Sequence, residues 1–151
     1  MKTKILFLAA LVFASLSSFA QKKEVAPKKE KDKFLANKVF TIDLTETGGK
    51  KTPKPESDEI SFKGEKMSSK FMIQEYKFPS SAYTVTVDSS ASPKTITFQS
   101  LGKNPDEEEI KWDGTITDDA IEGTAVITKK GKTKKEYSFS GTLKEKPGKK
   151  K

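Results

Sequence analysis

The sequence predicts an all-β fold, an eight-stranded antiparallel up-and-down meander barrel, from two observations. One short pattern occurs three times between Glu109 and Leu143, in the segments Trp112–Ile116, Ile121–Ala125 and Phe139–Leu143. Each copy has an apolar residue, a glycine and a second apolar residue at alternate positions, so all three face one side of an extended strand. The chain before the repeat also divides into alternating segments separated by turn residues, and no stretch has a convincing helical period.

Five alternating segments precede the repeat, and they are Lys38–Thr45, Glu59–Gly64, Lys70–Phe78, Tyr83–Val87 and Thr95–Ser100. In the third segment two sets of apolar residues compete for the inward face, and a β-bulge would serve both sets. Ahead of the first strand, Phe34 and Leu35 are expected to form a short helical turn that plugs one end of the barrel. Asp118 and Asp119 are expected to form the turn between the sixth and seventh strands.

Closing the sheet joins the two edges that consecutive strands would otherwise leave open. An eight-stranded barrel is either filled by side chains or holds one small ligand. The predicted inward face carries no charged residue, so a ligand inside would be apolar or flat. The candidate ligand-binding residues are Trp112, Tyr83, Phe98, Tyr137, Phe139 and Phe62. An unclosed sheet and a two-sheet sandwich stay open as alternatives.

The two ends of the chain are predicted to lie outside the barrel. Residues 1–20 have a lysine-bearing start, an apolar run and small residues before Gln21, the pattern of a signal peptide cleaved near Ala20. The protein is therefore expected to be exported to the periplasm or beyond the cell and to be soluble after cleavage. Residues 21–33 form a predicted disordered Lys-rich linker, residues 34–143 the barrel, and residues 144–151 a predicted disordered Lys-rich tail.

The formal charge of +8 lies in the ends of the chain, because residues 34–143 contain 16 Lys against 17 acidic residues. The chain has no Arg, the residue that recognises phosphate and guanine through two parallel hydrogen bonds, so no nucleic-acid partner is expected. The lysine tails are expected to make at most weak electrostatic contact with an anionic envelope surface. The absence of Cys means that the barrel depends on its hydrophobic core rather than on disulfides.

The chain contains no His and no Cys, which excludes Ser-His-Asp and Cys-His catalysis and His-based zinc sites. The acidic run Asp106–Glu109 lacks the ligand spacing of a calcium loop and is interpreted as a solvated turn. The segment Gly48–Thr52 lacks the spacing of a phosphate-binding loop. No enzyme activity, catalytic residue, metal or cofactor is predicted.

An eight-strand meander preceded by the short apolar segment Phe34–Phe40 resembles the lipocalin-like, calycin group of small secreted barrels. The resemblance covers roughly residues 34–143 and rests on topology. The Gly-x-Trp motif near the first strand is missing from Asn37–Phe40, Trp112 lies on the sixth segment, and the helix that usually follows the last strand is absent. The resemblance implies a barrel whose open end admits a small hydrophobic molecule.

Two functions follow from these observations. The first is a secreted, non-enzymatic barrel that binds a small hydrophobic ligand in its interior. The alternative is a filled barrel that acts as an interaction or envelope-associated protein through its outer surface and its lysine-rich tails. The sequence defines neither the ligand nor the oligomeric state.

Overall fold

The strands pair in chain order and close into an antiparallel barrel, as the sequence predicts. The structure is a computed structural model that describes residues 33–50 and 52–145. The first strand pairs with the last, with Phe40 opposite Leu143 and Thr47 opposite Glu136. The elements are β1 Val39–Thr47, β2 Glu56–Lys63, β3 Lys66–Ser69, α1 Lys70–Tyr76, β4 Ser81–Asp88, β5 Thr95–Lys103, β6 Glu108–Thr117, β7 Ala120–Lys129 and β8 Lys132–Leu143.

The predicted leader, residues 1–20, lies outside the described residues, as do most of the predicted linker and tail. Within the described part of the chain, no helix is long and apolar enough to cross a membrane.

The inward face is the one that the alternation predicts, except that Asp58 of β2 and Glu108 of β6 are buried on it, where the sequence predicts no charged residue. Along β6, for example, buried residues alternate with more exposed ones over the whole strand. Burying a large apolar side chain stabilises the fold by roughly 1.5–3 kcal/mol, so these residues are the main source of stability. The fully buried side chains include Phe40, Phe62, Phe98, Leu35, Ile42, Leu44, Ile60, Ile110, Ile116 and Ile121.

The turn before β1 packs against the core through Leu35, whereas Phe34, the second residue that is predicted to plug the barrel, is 40 % exposed. Leu35 is completely buried, and its carbonyl accepts a hydrogen bond of 2.9 Å from the Lys38 amide. The Asn37 amide donates to the Phe62 carbonyl at 2.8 Å, which fixes the turn to the end of β2. Asn37 has a φ of 65°, a left-handed conformation that asparagine adopts more readily than most residues.

The glycines of the repeat lie where neighbouring strands and rings come closest. Gly114 of β6 is directly opposite Gly123 of β7. A Cβ atom at Gly123 would lie 2.7 Å from the Gly114 Cα and 2.7 Å from the Phe139 Cζ. A Cβ atom at Gly114 would overlap the ring of Phe98. The missing side chains therefore let two strands approach and leave room for two aromatic rings.

The prediction of a third strand over Lys70–Phe78 is wrong. The third strand is the shorter β3, which covers most of the predicted connection between Gly64 and Ser69, and it is followed at once by the helix α1. In α1, Met72 is buried and Phe71 packs against the core while Ile73 is largely exposed. Three residues of this region, Met67, Met72 and Phe78, thus belong to the hydrophobic core. Strand alternation does not predict that they are part of it.

The helix forms here because its first turn is capped from two places. The Ser69 hydroxyl accepts a hydrogen bond of 3.1 Å from the Met72 amide, and a serine at this position is a favoured N-cap. The buried Asp58 carboxylate of β2 accepts from the Phe71 amide at 2.8 Å and from the Ser69 hydroxyl at 2.5 Å. The helix ends at Lys77, whose φ is 58°.

Replacing Gly123 by valine is expected to destabilise the barrel, whereas replacing Thr124 by valine is tolerated. A side chain at Gly123 meets the β6 backbone and the Phe139 ring, and overpacking of this kind costs about 1–3 kcal/mol. Thr124 is exposed. Urea denaturation of both variants measures the difference in the free energy of unfolding. Equal stability of the two variants, or a less stable Thr124→Val, would contradict the register.

The carboxylate of Glu59 should make stability depend on pH. Hydrogen bonds from Lys144 and Lys70 lower the pKa of Glu59 from 4.5 to about 2. Because the folded pKa is below the unfolded one, the ion pairs stabilise the protein above pH 4.5, and this contribution is lost as the pH falls to 2. Since both lysines are exposed and water screens the ion pairs, Glu59→Gln should lower the free energy of unfolding at pH 7 by no more than about 1 kcal/mol.

The measurement is chemical denaturation of Glu59→Gln and of the parent protein at pH 7 and at pH 2. The matched control is Glu136→Gln, at an exposed position of β8. We expect the difference between Glu59→Gln and the parent to shrink at the lower pH. A difference that is the same at both pH values would rule out the ion pairs as its cause.

Candidate functional site

The predicted ligand-binding residues meet on the inner face and pack ring against ring. The ring centroids are 4.9 Å apart for Phe62 and Tyr83 and 5.2 Å apart for Phe62 and Phe98. The series continues with 6.4 Å between Phe98 and Phe139 and 5.4 Å between Phe139 and Trp112. All four distances lie in the range of favourable aromatic pairs. Binding of a ligand by these residues stays a prediction.

Aromatic rings occupy the interior space beside the repeat glycines. Phe62 and Phe98 have no exposed surface, and Trp112 and Phe139 are each 3 % exposed. The rings of Phe98 and Phe139 stand where side chains on the neighbouring glycines would project. This part of the barrel is therefore a packed core.

Tyr137, the sixth predicted residue, lies at the end of the barrel that α1 covers. Its hydroxyl is 2.7 Å from the Tyr76 hydroxyl of the helix, and its ring centroid is 6.1 Å from that of Phe71. Burial, and secondly the hydrogen bond with Tyr76, raise the pKa of Tyr137. The phenol therefore stays neutral, and its contacts hold the helix on the barrel rim.

The loop between β5 and β6 also holds the C-terminal end of the helix. The Asn104 side-chain amide donates to the Tyr76 carbonyl at 2.8 Å, and its oxygen accepts from the Glu108 amide at 2.9 Å. Lys134 forms an ion pair of 2.5 Å with the Glu108 carboxylate, and this contact is the main reason that the pKa of Glu108 is lowered. Glu108 is thus a structural residue within the acidic run that the sequence assigns to a solvated turn.

The acidic residues do not assemble into a metal centre. Within residues 33–50 and 52–145, no three side chains of the types His, Cys, Asp and Glu are placed to hold a metal ion.

Asp118 and Asp119 form the predicted turn between β6 and β7, because β6 ends at Thr117 and β7 begins at Ala120.

A groove of about 530 Å³ lies on the outer face of the barrel. It crosses β1 and the strands from β5 to β8, over the repeat glycines. One row of its wall runs from Asp43 through Ser140 and Glu122 to Thr115, each residue directly opposite the next. The hydroxyl groups of the groove come from Thr45, Thr97, Thr115, Thr124, Ser138 and Ser140, and the carboxylates from Asp43, Asp113 and Glu122.

The charge of the groove is negative. Asp113 is held in place by the Gln99 side-chain amide at 2.6 Å and by the Lys111 ammonium group at 3.0 Å. Asp43 and Glu122 are exposed to solvent, and no lysine is among the residues that line the groove. The arrangement offers hydroxyl donors and acceptors together with carboxylates, which suits a ligand that carries hydroxyl groups and positive charge.

The sequence contains a pattern that indicates this groove, but the prediction of a binding site considers only the residues that face inward. Within each copy of the repeat, the residues beside the glycine point outward, and they are Asp, Glu or Ser on one side and Thr on the other. Three copies on neighbouring strands therefore place a field of small hydroxyls and carboxylates over the glycines. The concave shape depends on strand curvature, which the residue pattern alone does not give.

Comparison with known proteins adds no relative. The chain matches no protein-family model, and no curated protein or solved structure is found to be similar to it.

Proposed function

We propose that the protein is an exported, non-enzymatic barrel with a filled interior that binds its partner through the groove on its outer face. One observation supports this choice between the two functions that the sequence leaves open. The rings of Phe98 and Phe139 take up the space beside Gly114 and Gly123, whereas the concave volume of about 530 Å³ lies outside. The proposal includes membership of the lipocalin-like, calycin group, which the closed meander topology supports.

The chemistry of the groove favours a hydroxyl-rich cation, such as a chain of amino sugars. Its volume is within the range of about 300–1,000 Å³ that small-ligand sites occupy. Asp43 and Glu122 attract positive charge, and the threonine and serine hydroxyls exchange hydrogen bonds with sugar hydroxyls. Because the groove is open to water, we expect binding that weakens as salt is added. Weak contact of the lysine tails with an anionic envelope stays a separate prediction.

A tetramer of glucosamine is the probe for the groove. We expect Glu122→Lys to weaken binding of the tetramer at least about tenfold, because it puts a cation in the middle of the row of carboxylates and hydroxyls. The matched control, Glu136→Lys, makes the same change on an exposed position of β8 outside the groove. Titration followed by two-dimensional NMR measures both affinities. Equal weakening in the two variants, or no saturable binding by the parent protein, would contradict the groove.

Binding of a small hydrophobic ligand in the interior is the second candidate. It is favoured by the aromatic inner face and by β4, where Tyr83, Val85 and Val87 are only half-buried. A ligand that entered there would approach the aromatic series at Tyr83.

The fluorescence of Trp112, the one tryptophan of the chain, distinguishes the two candidates. A filled interior predicts no saturable change in its emission when oleic acid is added. Native mass spectrometry of the protein purified from its source should likewise show the mass of the polypeptide alone. A saturable emission change together with a co-purified lipid would support the interior site and would contradict the filled barrel.

A further inference from the structure

One edge of β4 is left open where β3 ends. The two strands pair at Lys66 with Ala82 and at Met67 with Ser81, whereas β4 continues to Asp88. On its other edge, β4 is paired with β5 along this whole length. Within residues 33–50 and 52–145, no strand pairs with the β3-facing edge of Thr84–Asp88. Every second residue of this stretch therefore directs its backbone N–H and C=O groups to an edge on which no described strand lies.

The open edge lacks the features that usually protect such edges. Residues 84–87 contain no charged residue, no proline and no glycine, in a chain of which 33 % is charged, and Asp88 at the end of the stretch is its one charged residue. Edge strands of soluble proteins are normally blunted by lysine, proline or a β-bulge. An uncharged run of alternating threonine and valine on an open edge is a template for another strand.

We propose that this edge pairs with the same edge of a second copy of the chain, as antiparallel strands related by a two-fold axis through Thr86. In this register Thr86 lies opposite the partner's Thr86, Val85 lies opposite the partner's Val87, and Thr84 lies opposite the partner's Asp88. The two barrels then share one continuous sheet. An isologous contact of this kind closes as a dimer and leaves no further edge.

The side chains of the strand fit this register on both faces. Thr84, Thr86 and Asp88 are exposed and lie on one face, whereas Val85 and Val87 are half-buried on the other. The two-fold axis therefore places threonine opposite threonine on the outer face of the sheet and valine opposite valine on the inner face. Cross-strand pairs of this kind stabilise a sheet.

Charge complementarity also favours a second copy. Lys66 is exposed, and it lies opposite the exposed Ala82, on the same face as Thr84. In the proposed dimer the partner's Asp88 lies opposite Thr84, two residues along β4 from Ala82. Lys66 and the partner's Asp88 would therefore be about two residues apart along the strand direction. Asp88 is kept ionised because hydrogen bonds from the Ser90 hydroxyl and amide lower its pKa. The symmetry forms this ion pair twice.

The dimer is expected to be weak. A pair of five-residue strands buries less than the roughly 1,200 Å² of a standard interface. We therefore expect a dissociation constant on the order of 10 μM to 1 mM, so that about half of the chains or more are paired at a protein concentration of about 1 mM.

Substitution of Thr86, which lies on the two-fold axis, tests the proposed dimer. Thr86→Lys and Thr86→Glu each set two like charges directly opposite one another, so each variant alone should be monomeric in sedimentation equilibrium across the same concentrations. An equal mixture of the two variants should form a heterodimer, because lysine then faces glutamate. Thr41→Lys, at an exposed position of β1 outside the groove, is the matched control and should dimerise like the parent protein. Circular dichroism confirms that all variants fold.

Three results would overturn the proposal. They are a parent protein that stays monomeric at about 1 mM, a dimer that persists in Thr86→Lys, and a mixture that does not associate. If the parent is monomeric and its amides at residues 84–88 are nevertheless protected from hydrogen exchange, the edge is covered within one chain and not by a second copy. These outcomes are independent of sugar binding in the groove.

Discussion

The close approach of strand backbones at the glycines of the repeat is the constraint on which the barrel depends. At Gly123 the β6 backbone and the Phe139 ring are so near that no side chain fits between them. Gly141 is in the same position against β1, where a Cβ atom would lie 2.7 Å from the Ile42 Cα. The pairing of β8 with β1 that closes the sheet therefore requires glycine. The same glycines admit the aromatic rings that fill the interior.

Most of the fold could be predicted from the sequence because strand alternation is a local property. Each strand carries its own inward and outward residues, and seven of the eight strands overlap predicted segments. The exception is Lys70–Phe78, where two apolar sets compete and neither period is clear. What makes it a helix is the carboxylate of Asp58, which caps the Phe71 amide from another strand. A contact between residues so far apart in the chain cannot be seen in a local pattern.

The candidate site could be predicted only in part. The six aromatic candidates share the inner face because alternation places them there, but their mutual packing depends on ring orientations that the sequence does not encode. Phe98 and Phe139, for example, fill the space beside Gly114 and Gly123. The outer groove was missed because its residues are small and polar and are spread over five strands. Their convergence is a consequence of closure and curvature, which no single segment contains.

Xenon is the most direct probe of whether the interior is filled, because it enters apolar cavities that water leaves empty. The measurement is a crystal structure of the protein collected under xenon pressure. A filled interior predicts no xenon atom among the rings of Phe62, Phe98 and Phe139. An ordered xenon atom in contact with these rings would reveal a cavity and would contradict the central claim, that this barrel acts through its outer surface.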